Sequence, residues 1–375
     1  MTEMTSDPIS NLKFLLLIAE KETPIDDFIL QIESKYRGLG IPILYGTLSI
    51  LANKSVFYIA GRGIGKTRII TSIPDIQSYR TSKWDTFTMG ELSDLCRKLS
   101  SEETSEYFDG VNGKKLVFKV KDFSTLSNYH RELFLTICSK IISDGDYTHI
   151  TSITPYLKFE NCILSMLLAI QPKLYSILSN RYEQWQNMST DRFTKFPVLN
   201  PLRQGKTIDD SFVATLPKKI PLEAQLPLEV DLTELNKLFN SQISEGRSYL
   251  YARDYVKAIA RFQGKTLVEQ EDVELFYKLF SPYLRSFSML QRREDLEAAV
   301  TVSSGHMELL TEVGKYMEGV HKETLANKLL VSIRHIERGI AFLLEKGLIR
   351  KQGDGYILSE ELLQFFDWYK TKFSV

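Results

Sequence analysis

At 375 residues the chain is too long for one ordinary hydrophobic core, so two or three packed units are expected. Its 47 basic and 47 acidic side chains cancel, which excludes net charge as an argument for nucleic-acid or membrane binding and leaves only local clustering. Hydrophobic content of 43% with 25% charged residues is that of a globular protein, not of a disordered or membrane-spanning chain.

The longest early apolar run, Phe14 to Ala19, is too short for a membrane span and lacks the flanks of a secretory signal. A cytoplasmic or nucleoid-associated location with no membrane partner is expected. Cys96, Cys138 and Cys162 are scattered without metal-ligand spacing and read as buried, reduced thiols.

Residues from about Ile9 to Leu51 have apolar positions at helical spacing and read as a helical lead-in, assigned to 1–50. Ser55–Ala60 then reads as a strand, followed by a glycine-rich turn and a helix from Thr67. Further along, Lys115–Val120 predicts a second strand, Tyr129–Ser143 a helix, and Asn161–Ile170 a buried strand. Leu174–Trp185 predicts another helix and Phe193–Leu199 a last strand before Asn200-Pro201. Alternating strands and helices imply a parallel sheet with helices on both faces, assigned to 51–204. A linker is expected over 205–231, a helical unit over 232–300 and a C-terminal module over 306–375.

The run Ala60-Gly61-Arg62-Gly63-Ile64-Gly65-Lys66-Thr67 departs from the phosphate-loop pattern G-x-x-x-x-G-K-[ST] only at its first position. Gly61, Gly63 and Gly65 allow backbone N–H groups to turn inward around phosphate oxygens, because glycine lacks the Cβ that forbids positive φ. Lys66 would reach the β and γ phosphates, and the Thr67 hydroxyl would hold Mg²⁺ of a bound Mg·ATP. The following helix would direct its positive end at the anion. Arg62, Ile64 and Arg68 complete the candidate nucleotide-binding set. The strand Leu116–Val120 leads to Asp122, placed to hold the metal through water. Phe123 follows it where such ATPases usually carry glutamate, so water activation would fall to Ser124, Thr125 or a carboxylate such as Glu132.

Together these segments, over about residues 40 to 285, resemble the AAA+ superfamily and within it the branch of MoxR-type ATPases and MCM helicases. The resemblance implies a P-loop core, a helical lid and a homo-oligomeric ring or filament. Ala169-Ile170-Gln171-Pro172 is similar to the segment carrying that family's polar sensor, which makes Gln171 the sensor candidate. Asp191-Arg192-Phe193 matches the Asp-Arg-Phe of MoxR-like proteins, whose arginine reaches a neighbouring subunit's nucleotide. Val268-Glu269-Gln270-Glu271-Asp272-Val273 is similar to a lid segment, and counting back from it places the lid arginine at Arg247, with Arg253 the alternative.

From Glu308 the pattern reads helix, helix, turn, helix and hairpin. Lys322–Leu329 and Ile333–Glu345 would form a helix-turn-helix about Val331-Ser332, followed by strands at Gly347–Lys351 and Gly355–Ser359. This resembles a winged helix. Arg334, His335 and Arg338 would face DNA from the second helix, and Arg350 and Lys351 from the wing. Acidic neighbours such as Glu337 and Glu345 weaken that charge, so affinity would depend on assembly.

The expected function is an oligomeric ATPase on double-stranded DNA, in replication initiation, helicase loading or unwinding, with a helicase or other protein partner. The alternatives are a MoxR-like chaperone and a nucleotide-switched transcription regulator.

Overall fold

The computed structural model describes residues 23–61, 64–77, 79–84, 114–123, 128–149, 157–159, 161–181, 192–199, 212–292, 301–302, 304–316 and 318–373. Helices α1 (Pro24–Glu33) and α2 (Gly40–Leu51) precede β1 (Ser55–Ile59), α3 (Lys66–Ser72), β2 (Arg80–Trp84), β3 (Lys114–Val120) and α4 (Asn128–Asp144). A small hairpin follows, β4 (Tyr147–His149) with β5 (Leu157–Phe159). Then come β6 (Cys162–Ile170), α5 (Pro172–Arg181) and β7 (Phe193–Pro197). The predicted lead-in helix is interrupted over 34–39, where Gly38 takes a φ of +76° that a helix cannot contain.

Five strands form one parallel sheet in the order β2-β3-β6-β1-β7. Every residue of β1 and β7 is buried, as expected of strands covered on both faces. Side chains alternate across the sheet, and their partners identify the two helical layers. The Tyr58 hydroxyl donates to the carbonyl of Pro42 in α2, whereas Phe57 packs edge-on against Tyr175 in α5. On β3, Phe118 meets Phe134 of α4, and buried Lys119 points the other way. Its ammonium donates to the carbonyl of Ile73, just after α3, at 2.6 Å and pairs with Asp75 at 2.7 Å. So α2 and α3 cover one face, α4 and α5 the other.

Helix α8 (Gln270–Leu290) packs against β7, and α6 (Thr233–Asn240) and α7 (Glu245–Phe262) pack on α8 and on each other. Tyr45 of α2, Phe196 of β7, Tyr255 of α7 and Phe280 of α8 share one buried aromatic cluster. The Tyr255 hydroxyl is satisfied there by Ser49 at 2.9 Å. The segment Val268–Val273 has a local structural explanation. The Asp272 carboxylate accepts from the Glu269 N–H, the Gln263 amide and Lys265, and so closes the turn that starts α8.

Two short strands, β8 (Gln291–Arg292) and β9 (Thr301–Val302), lead to α9 (Ser304–Val313), α10 (Lys322–Leu329), α11 (Ile333–Glu345) and the antiparallel pair β10 (Ile349–Gln352) and β11 (Gly355–Leu358). Helix α11 buries Ile336, Ile340 and Leu343 and turns Arg334 and Arg338 outward.

Unforeseen from the sequence, α12 (Glu360–Phe373) follows the hairpin and packs on α1 and α8. Tyr369 donates to Glu33, Lys372 pairs with Asp26 at 2.6 Å, and Phe365 meets Tyr283 edge-on. Lys278 of α8 is buried in this junction with its ammonium 4.3 Å from the Trp368 ring centroid. Burial and the charge of Lys372 push Lys278 down from 10.5 to about 8, against the pull of Asp26. Between those two values the folded chain binds fewer protons than the unfolded one, so stability from this group rises with pH across the window. Melting temperatures taken from pH 7.5 to 10 are expected to show that rise, and Lys278→Met to flatten it.

Candidate functional site

Strand β1 ends in the glycine-rich turn, and α3 begins at Lys66. Gly65 takes a φ of +105°, and a Cβ there would lie 3.2 Å from Leu39 Cδ1, so only glycine suits both the backbone and the close approach. Ile64 is buried, Thr67 is exposed, and Arg68 places its guanidinium 5.6 Å from the Tyr36 ring centroid. Lys66 is only 8% exposed, and its ammonium donates to the carbonyls of Ala60 and Gly61, both at 2.9 Å. A buried cation drawn over a turn of this kind is a fitting partner for phosphate oxygens. Arg62 and Gly63 lie outside the described residues.

The parallel sheet decides which other candidates stand near this turn. Strand β6 lies between β1 and β3, with Ile59 beside Ile170 and Val120 beside Leu168. The carboxyl ends of three adjacent strands thus bring Asp122, Gln171 and the glycine-rich turn into one row, with Gln171 in the middle. Adjacent strands are about 4.8 Å apart, so the row is roughly 10 Å wide. The Gln171 carbonyl accepts from the Tyr175 N–H and starts α5, which leaves its half-buried side chain at the sheet's end. Asp122 is half-buried. Phe123 after it is fully buried against Phe134, which explains why no carboxylate occupies that position: the backbone turns it into the core. Of the substitutes considered for water activation, Glu132 is exposed on α4, while Ser124 and Thr125 lie outside the described residues.

Arg192 and Arg247 stand elsewhere. Arg192 immediately precedes β7, whose first residue, Phe193, is beside Ser55 at the start of β1. Five residues of extended chain separate that edge from the glycine-rich turn, roughly 16 Å. The two arginines line a cavity of about 510 Å³ at this amino edge, together with Lys54, Asn53 and Tyr251. Arg192 donates to the Ser139 carbonyl at 2.7 Å. Lys54 pairs with Asp254 at 2.7 Å and lies over the Tyr251 ring. The alternative lid candidate, Arg253, is bound to Asp254 at 2.8 Å. Asp191 lies outside the described residues. Sequence spacing gave no sign that Arg192 and Arg247 line one cavity, since 54 residues lie between them in the chain.

At the C-terminal end, Arg334, His335 and Arg338 are exposed on α11. Lys351 is exposed on the hairpin, whereas exposed Arg350 is held by Glu360 at 3.0 Å. Glu337, on the same helix as the arginines, is engaged by Lys322 at 2.7 Å. Cys138 and Cys162 are buried and form no disulfide, and burial pushes the Cys138 thiol up; Cys96 lies outside the described residues. Among the described residues no helix is long and apolar enough to cross a membrane.

No family model matches the sequence, and no curated protein matches it. Among solved structures the chain is similar to a full-length MCM homolog from Methanopyrus kandleri, at 14% identity and a TM-score of 0.39, over 76% of this chain and 63% of that one. It is also similar to the Thermotoga maritima RuvB Holliday junction branch migration motor, at 13% identity and a TM-score of 0.20, over 84% and 87% of the two chains. The chain therefore spans less than two thirds of the MCM homolog. At such identities and TM-scores, family and function rest on the chain's own residues.

Proposed function

We propose that this chain is an AAA+ ATPase that assembles on double-stranded DNA through a C-terminal winged helix, in replication initiation, helicase loading or unwinding. The observation that carries the nucleotide reading is the row formed by the glycine-rich turn, Gln171 and Asp122 at the carboxyl ends of neighbouring parallel strands. Ligands of open parallel sheets bind at that edge. Gly61, Gly65 and Lys66 would hold the phosphates of ATP, with Arg62, Gly63, Ile64 and Arg68 completing the loop. Thr67 and Asp122 would hold Mg²⁺. No cluster of three or more metal-binding side chains stands among the described residues, so phosphate oxygens and water would supply the rest of the ion's shell. When bound, the ion would neutralise charge on the phosphates.

Arg192 and Arg247 share one cavity at the opposite edge, out of reach of their own glycine-rich turn. That geometry favours both acting on the nucleotide of a neighbouring subunit. Exposed Tyr249 and Leu250 on α7 add apolar surface beside this cavity, as an interface between subunits requires. The DNA reading rests on exposed Arg334, His335, Arg338 and Lys351; Arg350 contributes less while Glu360 holds it.

Lys66→Ala is expected to weaken Mg·ATP binding about 100-fold, because a charge-assisted contact is lost from a buried position. Asp122→Asn is expected to retain binding and lose turnover. Titration with a fluorescent ATP analogue, beside a phosphate-release assay with and without duplex DNA, separates these effects. Unaltered binding by Lys66→Ala would refute the nucleotide site. Binding without turnover under any condition would favour the nucleotide-switched regulator. Turnover with no salt-sensitive DNA retention would favour the chaperone.

A further inference from the structure

The turn between α10 and α11 carries an apolar tip that neither the core nor the ATP site explains. Leu330 is 90% exposed, and Val331 and Ile333 are also exposed. Leu330 caps α10 at φ +54° and ψ +45°, a left-handed conformation in which a Cβ is strained and glycine or asparagine is the usual occupant. Its backbone N–H bonds to the Ala326 carbonyl, so the turn is fixed rather than frayed. A large apolar side chain held in a strained backbone and offered to solvent gains nothing for the fold. Strain of this kind points to function.

The surroundings narrow the partner. Ser332 caps α11, its hydroxyl accepting from the His335 N–H, so Ile333 and Arg334 form the leading end of that helix. Among the described residues, Arg334, Arg338 and Lys328 make no ion pair, and Glu337 is neutralised by Lys322. The tip is therefore a small apolar surface flanked along the chain by exposed cations, which suits a polyanion with an apolar feature on it. In duplex DNA the major groove offers such a feature only at the C5-methyl of thymine, and helix-turn-helix proteins place the leading end of the second helix there.

We propose that Leu330, Val331 and Ile333 read thymine methyl groups in the major groove while Arg334 and Arg338 engage phosphates or guanine edges. The inference rests on the DNA reading above and adds a base preference to it. The protein would bind duplex tracts rich in thymine more tightly than tracts of equal charge without the methyl.

The test uses the full chain and two duplexes, alternating dA-dT and alternating dA-dU, which differ only in the C5-methyl. Fluorescence anisotropy at fixed salt is expected to show tighter binding to the thymine duplex, about four-fold for each methyl buried. Ile333→Ala is expected to reduce that ratio. Leu330→Gly is expected to reduce it too while raising the melting temperature, since glycine relieves the backbone strain. A protein that gains stability as it loses preference cannot owe the loss to misfolding. Equal, salt-sensitive binding of both duplexes by the wild type would overturn the methyl reading and leave the DNA reading standing. Binding to neither duplex would overturn both.

Discussion

Mixing Lys66→Ala protein with Arg192→Ala protein, each inactive by itself, is expected to restore ATP turnover. The expectation follows from the sheet. Arg192 precedes β7 at the edge where β1 begins, and Lys66 follows β1 at the edge where it ends. Rigid strands hold the two side chains apart within one chain, so an active centre that needs both must be completed by two subunits in head-to-tail contact. In an equimolar mixture about a quarter of the contacts pair an intact Lys66 with an intact Arg192, and turnover should recover toward that fraction. Arg192→Ala by itself is expected to lower turnover about 1,000-fold, as loss of an arginine that stabilises phosphoryl charge does. ATP affinity at low protein concentration should be nearly unchanged. Arg247→Ala should behave in the same way and be complemented by the same partner, because it lines the same cavity. If the mixture stays inactive although the proteins co-assemble, the two edges do not cooperate and the arginines serve the fold alone.

Glu33→Ala is expected to loosen the C-terminal helix and the glycine-rich turn together. The Glu33 carboxylate is buried and accepts from the Gly38 N–H at 2.6 Å, the Gly40 N–H at 2.7 Å and the Tyr369 hydroxyl at 2.5 Å. Burial raises its pKa, and those three donors oppose the rise. Gly38 and Gly40 bracket Leu39, whose side chain meets the Cα side of Gly65. One carboxylate therefore links α12, the turn after α1 and the glycine-rich turn. Gly40 permits this convergence, since a Cβ there would fall 2.6 Å from the Tyr369 hydroxyl and 2.8 Å from a Glu33 oxygen. Removing the carboxylate leaves two buried N–H donors without an acceptor, at about 1–3 kcal/mol each. Limited proteolysis should then release α12 more readily, and ATP affinity should fall with it. Tyr369→Phe removes one bond and keeps the ring packing, so its cost should be about 1 kcal/mol, with ATP affinity largely kept. Equal resistance of Glu33→Ala and wild type to proteolysis would show that packing by Phe365 and Tyr369 suffices.

The sequence by itself determined the local elements and their order. Val56–Ile59 before three glycines and Lys66-Thr67 fixed a strand, a turn and a helix. Helical spacing fixed Lys322–Leu329 and Ile333–Glu345, because apolar periodicity is a property of each segment regardless of its neighbours. The helix Glu360–Phe373 was not read from the sequence, although Leu362, Phe366, Tyr369 and Phe373 have the spacing of the buried face it presents.

Everything that depends on residues distant in the chain was decided by the tertiary structure. The sequence aligned Asp122 and Gln171 with a family pattern, but it is the insertion of β6 between β3 and β1 that puts them in one row with the glycine-rich turn. It offered Arg247 as the lid arginine, whereas only the fold sets Arg247 and Arg192 in one cavity at the amino edge of the sheet. Nor did it mark Glu33, whose role comes from a C-terminal tyrosine 336 positions away. Strand order, register and helix docking are set by which buried faces fit one another. Spacing within a segment records only that a face exists, not what it will meet.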